Sequence, residues 1–565
     1  MFQLSSLGKK TGSAVLKRTM SDQVVTTSYG KLRGGAAASH GGREYFYFSG
    51  IPYAEPPVGP LRFKPPIPHR KWNGVREALM EGNPSLQMDL ISKQPIGDED
   101  CLFLNVYSPK CEEPLKPVIV WIHGGAFGMW SGGAALYGAK YLMDLDVILV
   151  TFNYRLGALG FLNLNIEGAA GNMGMKDQTL LLKWVKSEIQ HFGGDPNNVT
   201  IGGNSAGGSC VHYHMSSPLS RGLFHKAIAQ SGTIPSEWAI MKDHYQRSSD
   251  LGPRLKAGTM DKHKLLDYFM AVPAERFPKM QNSVVSDDEH TRGLIWAFAP
   301  SIETVGQESD KFLSIDPYNL LVKGAAADVP FLTGFNTHEG FVIPPIIQKY
   351  PSLLKNLNSD FQVLFKNLAF PPTLTTEEIS ELAERVRKEY FKNEIIEYLR
   401  HFDELVKLYG NTLITIPIIL TLHHLIGSQR QSPVFVYKFS VDTPHGWYKN
   451  SLVKSTVLDP QQKGVSHCDE LGYLFSNAMT TQMLNTEPGL LAEKTIQRMT
   501  KMWVNFANLG DPSDELKWKP AFSSEVPMGL HIGADLSFGP IEEFELVSTF
   551  KELFKISKKS TNKEC

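Results

Sequence analysis

Apolar and polar residues alternate along this chain with two different periods. Near the start, the β-branched and aromatic runs Val24–Thr27 and Glu44–Phe48 read as short strands, and the proline-rich Ile51-Pro52-Tyr53-Ala54-Glu55-Pro56-Pro57 then turns the chain. Together they predict a small N-terminal antiparallel sheet. Val118–Ile122 and Val147–Val150 are nearly continuous apolar runs, as expected of strands covered on both faces, with room between them for a crossover. From Lys176 to Phe192 the period changes: Leu181, Trp184, Val185, Ile189 and Phe192 recur at three- and four-residue steps. That spacing predicts an amphipathic helix, stopped by Gly193-Gly194. Val329–Thr333 and Val434–Phe439 read as further strands, separated by long helical stretches. Strands alternating with helices predict an α/β fold, a doubly wound and mostly parallel sheet flanked by helices.

Leu413–Ile426 is the longest apolar segment, but Pro417, two threonines and His423-His424 interrupt it, and it falls short of the roughly 20 residues that cross a bilayer. It predicts a buried helix and no transmembrane segment. No repeat, low-complexity linker or charge block divides the 565 residues. The chain therefore reads as one large domain at 22–548, between a basic tail or presequence at 1–21 and a lysine-rich tail at 549–565. The formal net charge is −1, so no nucleic-acid partner is expected. Met1–Met20 carries Lys9, Lys10, Lys17 and Arg18 without the apolar core of a secretory signal, which implies a cytoplasmic protein or, alternatively, a mitochondrial one. Five scattered cysteines (Cys101, Cys111, Cys210, Cys468, Cys565) make neither a zinc pattern nor a disulfide framework, and favour a reducing compartment. The one glycosylation sequon, Asn198-Val199-Thr200, leads into a strand and is expected to be covered.

Chemistry enters at Gly203-Asn204-Ser205-Ala206-Gly207, which follows the apolar Val199-Thr200-Ile201 and precedes a helix-forming segment. A strand, a sharp turn on serine and a helix form a nucleophile elbow, in which the flanking glycines leave room for the turn. An isolated GxSxG is weak evidence; company strengthens it here. Acyl transfer needs a base to take the serine proton, an acid to orient that base, and donors for the oxyanion. Among seventeen histidines, His467 stands in the small-residue loop Gly464-Val465-Ser466-His467-Cys468-Asp469-Glu470-Leu471, a position suited to a mobile, exposed imidazole. The acid should lie between serine and histidine in the chain. Glu339, in Gly334-Phe335-Asn336-Thr337-His338-Glu339-Gly340 after the strand ending at Thr333, meets that requirement. Its neighbour His338 reads as structural. His123-Gly124-Gly125-Ala126-Phe127 follows the strand Val118–Ile122 and can offer backbone N–H groups to an oxyanion, with Ala206 as a further donor.

With these pieces placed, the chain resembles the type-B carboxylesterases of the cholinesterase-like α/β-hydrolase family over about residues 22 to 545. The resemblance rests also on Phe48–Ala54, Glu99–Val106, Asn153–Gly157, Gly171–Gln178 and Phe192–Pro196, and the wording of Gly464–Phe475 is similar to that of insect intracellular α-esterases. It implies the α/β-hydrolase fold, Ser205 as nucleophile, Glu339 as acid, His467 as base, and Gly125, Ala126 and Ala206 as oxyanion donors. Trp238 and Phe298 fall where the family lines its acyl pocket, although aromatic residues at such places also serve as plain core.

Four departures from the family pattern matter. Asn204 replaces the usual glutamate before the nucleophile, and Ala126 replaces the usual third glycine of the oxyanion loop, narrowing the site if its φ is positive. Cys101 lacks its usual disulfide partner, whose position is Ser85. No tryptophan lies between Asn73 and Cys101, where cholinesterases hold choline.

These observations imply a serine carboxylesterase for small to medium hydrophobic esters, acting on a small-molecule ester without metal or cofactor. The alternatives are a slow-turnover protein that sequesters esters or organophosphates, and a non-catalytic interaction protein on the same fold. The sequence carries no signal for an oligomeric state.

Overall fold

A computed structural model of the protein describes residues 23–545, apart from stretches at 90–91, 110–113, 325, 366–374, 427, 429, 456, 478–488, 514–517 and 523–526. The expected N- and C-terminal tails lie outside the described residues, as do Cys111 and Cys565. Thirteen strands among the described residues join in one sheet. Twelve of them form its path: β1 (Gln23–Thr26), β2 (Lys31–Ala38), β3 (Glu44–Pro52), β4 (Phe103–Pro109), β5 (Lys116–Ile122), β6 (Ile148–Phe152), β7 (Gly194–Asn204), β8 (Lys226–Gln230), β9 (Phe331–Asn336), β10 (Val434–Phe439), β11 (Met528–Ile532) and β12 (Leu536–Pro540). Val75–Glu77 pairs with β2 off this path, and the spatial order is β1-β2-β3-β4-β6-β5-β7-β8-β9-β10-β11-β12. From β6 to β11 every neighbouring pair is parallel. This is the mostly parallel α/β-hydrolase sheet. The antiparallel lead-in is present, but instead of standing as a sheet of its own it continues the main sheet, because β3 pairs along β4 with Phe48 opposite Val106.

The apolar runs work by their period of two. In β5, Val118, Val120 and Ile122 enter one hydrophobic core, while Ile119 and Trp121 enter a second core on the opposite face. The same split sends Ala227 and Ala229 of β8 one way and Ile228 the other, and in β10 divides Val434 and Val436 from Phe435, Tyr437 and Phe439. Each fully buried aliphatic side chain contributes roughly 1.5–3 kcal/mol, so two complete faces leave no solvent side and the runs read as continuous.

Helices cover both faces. Helix α1 (Met173–Glu188) continues as a 3-10 turn through Phe192 and stops at Gly193, whose φ is +83°. It begins three residues before the expected start because Asn172, at φ +61°, turns the chain into it and anchors its amide on Ser301 and Glu303. Helix α2 (Ala206–Ser216) follows β7 directly. Helices α3 (Phe402–Gly410) and α4 (Ile416–Ile426) join through a π turn at Asn411–Thr415. The resulting apolar helix, Phe402–Leu425, is long enough to cross a bilayer, yet 94% of its most apolar window is buried inside the protein. Its burial is that of the core helix expected, but it is longer than Leu413–Ile426, because α3 runs into α4 through the π turn. Helix α5 (Gly489–Leu509) lays Met499, Met502, Trp503 and Phe506 into the second core.

Several strand limits differ from expectation. β3 runs on from Phe48 through Pro52, still paired with β4, so the chain turns only after Pro52. β9 starts at Phe331 because Pro330 has no N–H for the ladder, and it runs on through Asn336. β6 runs past Val150 to Phe152, where Thr151 and Phe152 keep pairing with β4. The sequon's Asn198 is half-buried, and its amide donates to the Asn508 carbonyl at 3.2 Å.

Candidate active site

Parallel strands end together at one edge of the sheet, where the loops that follow them meet. Gly203 lies opposite Ile122, Asn204 opposite Gln230, and Gln230 opposite Gly334. The residues just beyond these ends are therefore brought together, although the first and last of them lie more than 200 positions apart in the chain.

Ser205 sits between β7 and α2 at φ +55° and ψ −124°, a backbone conformation that non-glycine residues rarely adopt. Its N–H donates to the Gln230 carbonyl at 2.8 Å, which holds the turn. A Cβ on Gly207 would lie 2.0 Å from the Ile122 carbonyl oxygen, so only glycine allows α2 to start this close to β5. Such strain persists only where the surroundings over-determine it.

The loop after β5 carries three successive residues with positive φ: Gly125 at +104°, Ala126 at +50° and Phe127 at +57°. Backbone bonds pin it, from Gly128 and Met129 to the Gly125 carbonyl and from Gly157 to the Phe127 carbonyl at 2.7 Å. Ala126 thus has the positive φ that narrows the site. Gly125 and Ala126 line a cavity of about 460 Å³ together with Ser205 and His467. Ala206 is fully buried as the first residue of α2, where a backbone N–H has no intrahelical acceptor. His123 is buried and stacked on Tyr154, with centroids 4.4 Å apart, and burial pushes its pKa down to about 4.

Glu339 opens a short 3-10 turn just past β9 and is 2% exposed. Its Oε1 accepts from Ser231 Oγ at 2.6 Å and from the Asn336 N–H at 2.7 Å, while Oε2 lies 2.6 Å from Nδ1 of His467. The mobile, exposed imidazole expected for His467 is corrected here: the side chain is buried, because its loop is pinned by Glu339 and by the His338 N–H bond to the Val465 carbonyl. His338 turns elsewhere, with Nδ1 2.9 Å from Thr337 Oγ1 and its ring stacked on Phe341. Burial disfavours an imidazolium at His467, but the adjoining Cys468 and the Glu339 carboxylate favour it, and the net direction is upward. Burial also raises the Cys468 thiol, which leaves Glu339 as the charge that matters at neutral pH.

Several participants carried no sequence signal of their own. Ser231 follows β8 and binds Glu339; a small polar residue at a strand end was the only hint. Behind the pair lies a second buried carboxylate, Glu470, which accepts from Gln230 Nε2 at 3.0 Å and Asn336 Nδ2 at 2.5 Å. Burial, with the nearby Glu339 charge adding to it, pushes Glu470 up to about 7. Asp469 accepts three backbone N–H bonds, from Tyr448, Lys449 and Ser466, and burial pushes it up to about 7 as well.

Trp238 and Phe298 both line the cavity, beside Val342, Ile346, Leu413 and Ile414. The Trp238 indole N–H donates to the Leu413 carbonyl at 2.9 Å, an acceptor whose α-helical partner four residues on would be Pro417, which has no N–H. A buried ion pair, Arg292 with Glu237 at 2.9 Å, adds a polar patch to the same wall. Away from the cavity, Cys101 is buried and unpaired, with the Ser85 hydroxyl in reach of its sulfur.

Against known proteins, the model of the carboxylesterase family matches residues 21–543. The chain belongs to the carboxylesterase family. It is a carboxylic ester hydrolase. This carboxylesterase is 33% identical over 535 residues to juvenile hormone esterase of Tribolium castaneum, covering 92% of this chain and 89% of that one. It is 36% identical to a carboxylic ester hydrolase of Bombus ignitus, covering 79% of each chain. The crystal structure of juvenile hormone esterase from Manduca sexta, with OTFP covalently attached, superposes with a TM-score of 0.82 at 26% identity, over 94% of this chain and 100% of that one.

Proposed function

We propose that this carboxylesterase works by a serine mechanism on small to medium hydrophobic carboxylic esters. Ser205 Oγ attacks the ester carbonyl while His467 takes its proton and then delivers it to the departing alcohol. Glu339 holds the Nδ1–H tautomer, so that the other ring nitrogen serves the serine. The N–H groups of Gly125, Ala126 and Ala206 receive the charge that grows on the carbonyl oxygen, each worth roughly 3 kcal/mol in the transition state. Water, deprotonated by the same imidazole, then releases the acid. The observation that carries this reading is the 2.6 Å contact between Glu339 and His467 at the wall of the cavity that Ser205 also lines. The covalently attached OTFP of the Manduca sexta relative supports a covalent intermediate. Trp238, Phe298, Leu413 and Ile414 support an apolar acyl group.

The test is stopped-flow hydrolysis of p-nitrophenyl butyrate, beside Ser205→Ala and organophosphate-treated protein. A burst followed by sustained turnover, absent from both controls, is the expected result. A burst that stalls would favour the sequestering alternative, which the absence of a carboxylate at Asn204 keeps in view. Product formed without Ser205 would overturn the serine mechanism.

A further inference from the structure

Three segments must hold fixed relative positions for the proposed chemistry: the loop after β5, the turn at Ser205 and the loop at His467. One hydrogen-bonded chain touches all three. The Gly124 N–H donates to Tyr137 Oη at 3.4 Å, Tyr137 Oη donates to Asn204 Oδ1 at 3.2 Å, and Asn204 Nδ2 donates to Cys468 Sγ at 3.3 Å. Gly124 precedes the oxyanion loop residues, Asn204 precedes Ser205, and Cys468 follows His467. Tyr137, Asn204 and Cys468 are each 1% exposed. Tyr137 is further clamped by edge contact with Phe475 and by the paired backbone bonds of Gly138 and Ser476, both 3.0 Å.

Cys468 supplies an independent observation. Its φ is +69°, a conformation that glycine takes freely and that costs a side-chain-bearing residue roughly 1 kcal/mol or more. A cysteine at such a place gives up backbone stability, and what it gains is the sulfur contact with Asn204 and His467.

We propose that Asn204 and Cys468 are positioning residues, a neutral couple that ties the residue before the nucleophile to the residue after the base and, through Tyr137, to the oxyanion loop. The couple rests on the serine mechanism above. Because it carries no charge, Glu339 remains the nearest anion to His467. The other titratable groups that face His467 or Cys468 are Glu470 and the hydroxyls of Tyr137, Tyr437 and Tyr448; Asp469, next in the chain, is held by the N–H groups of Tyr448, Lys449 and Ser466.

Cys468→Gly, Cys468→Ser and Asn204→Asp, measured in the full-length enzyme, test the couple. Cys468→Gly relieves the backbone but leaves a small buried gap and an unpaired Asn204 Nδ2, so it should stay fully folded at the assay temperature, yet lose about five- to tenfold in kcat with KM for p-nitrophenyl butyrate nearly unchanged. Cys468→Ser should restore most of kcat. Asn204→Asp, which adds an anion beside the histidine loop, should move the acidic limb of the kcat/KM profile upward by about one pH unit. Full kcat in Cys468→Gly, or an unmoved limb in Asn204→Asp, would overturn the proposal. Ser205→Ala runs alongside: turnover that survives it defeats the serine mechanism itself, whereas turnover lost there together with full kcat in Cys468→Gly defeats the couple alone.

Discussion

Nδ1 of His467 lies 2.6 Å from Oε2 of Glu339, although 128 residues separate them in the chain. At that distance an ionised carboxylate fixes the imidazole tautomer and stabilises the imidazolium that forms during proton transfer. Glu339→Gln keeps the volume but removes the charge. It should lower kcat about a thousand- to ten-thousandfold, measured at saturating p-nitrophenyl butyrate. The parent's pH profile checks the same contact. In the proposed mechanism His467 acts as a neutral base, and its pKa is raised above the ordinary 6.5, so kcat/KM should be low in acid and climb with a limb above pH 6.5. A limb at or below that value would contradict the pairing.

Ser231 Oγ donates to Glu339 Oε1 at 2.6 Å, the contact that would orient the acid of the proposed mechanism. Hydrogen bonds to charged groups contribute about 1.5–3 kcal/mol, and Oε1 keeps only the Asn336 N–H when this one is removed. Ser231→Ala should therefore lose about tenfold or more in kcat with little change in KM. Equal kcat in parent and variant would remove Ser231 from the positioning of Glu339.

Gly340 packs the turn of Glu339 against α3. A Cβ there would lie 1.9 Å from the Val406 carbonyl oxygen and 2.9 Å from the Gly410 nitrogen, both backbone atoms that cannot swing aside. Gly340→Ala should cost about 1–3 kcal/mol by denaturant unfolding and should lower kcat as the turn shifts Glu339. The loss of activity should persist at temperatures where the variant is fully folded.

Trp238 closes part of the apolar wall through its bond to the Leu413 carbonyl. Trp238→Leu shortens that wall and removes the indole bond to the Leu413 carbonyl. The preference for p-nitrophenyl octanoate over butyrate, as a ratio of kcat/KM, should rise about tenfold. An unchanged ratio would mean that the acyl chain lies against other residues.

Glu470 ties stability to pH with an unusual sign. Its pKa is raised from 4.5 in a free chain to about 7 in the fold, so between those values the folded protein binds the extra proton. Its contribution is therefore fully present below about pH 4.5 and is lost as pH rises through about 7. Glu470→Gln should flatten the dependence of melting temperature on pH across this window. A parent-like slope in the variant would assign the dependence to other groups, Asp469 first.

Much of this was legible in the residues in order. A two-residue period marks β5 and β10, a three-to-four-residue period marks α1, and the glycines about Ser205 mark a turn, because each of these is a local matter of backbone sterics and side-chain direction. The order Ser205, Glu339, His467 is likewise local information, since each residue follows a recognisable strand or sits in a recognisable loop. Tertiary structure decided what no window of sequence contains. The parallel register brings Ser231, Asn336 and Glu470 around Glu339, pins His467 in a buried pose, and joins Tyr137, Asn204 and Cys468 into one chain of hydrogen bonds. It also turns the Leu413 carbonyl toward Trp238. Side-chain hydrogen bonds depend on distances of a few ångströms between segments 50 to 300 residues apart. Those distances exist only once the two hydrophobic cores have closed on either face of the sheet.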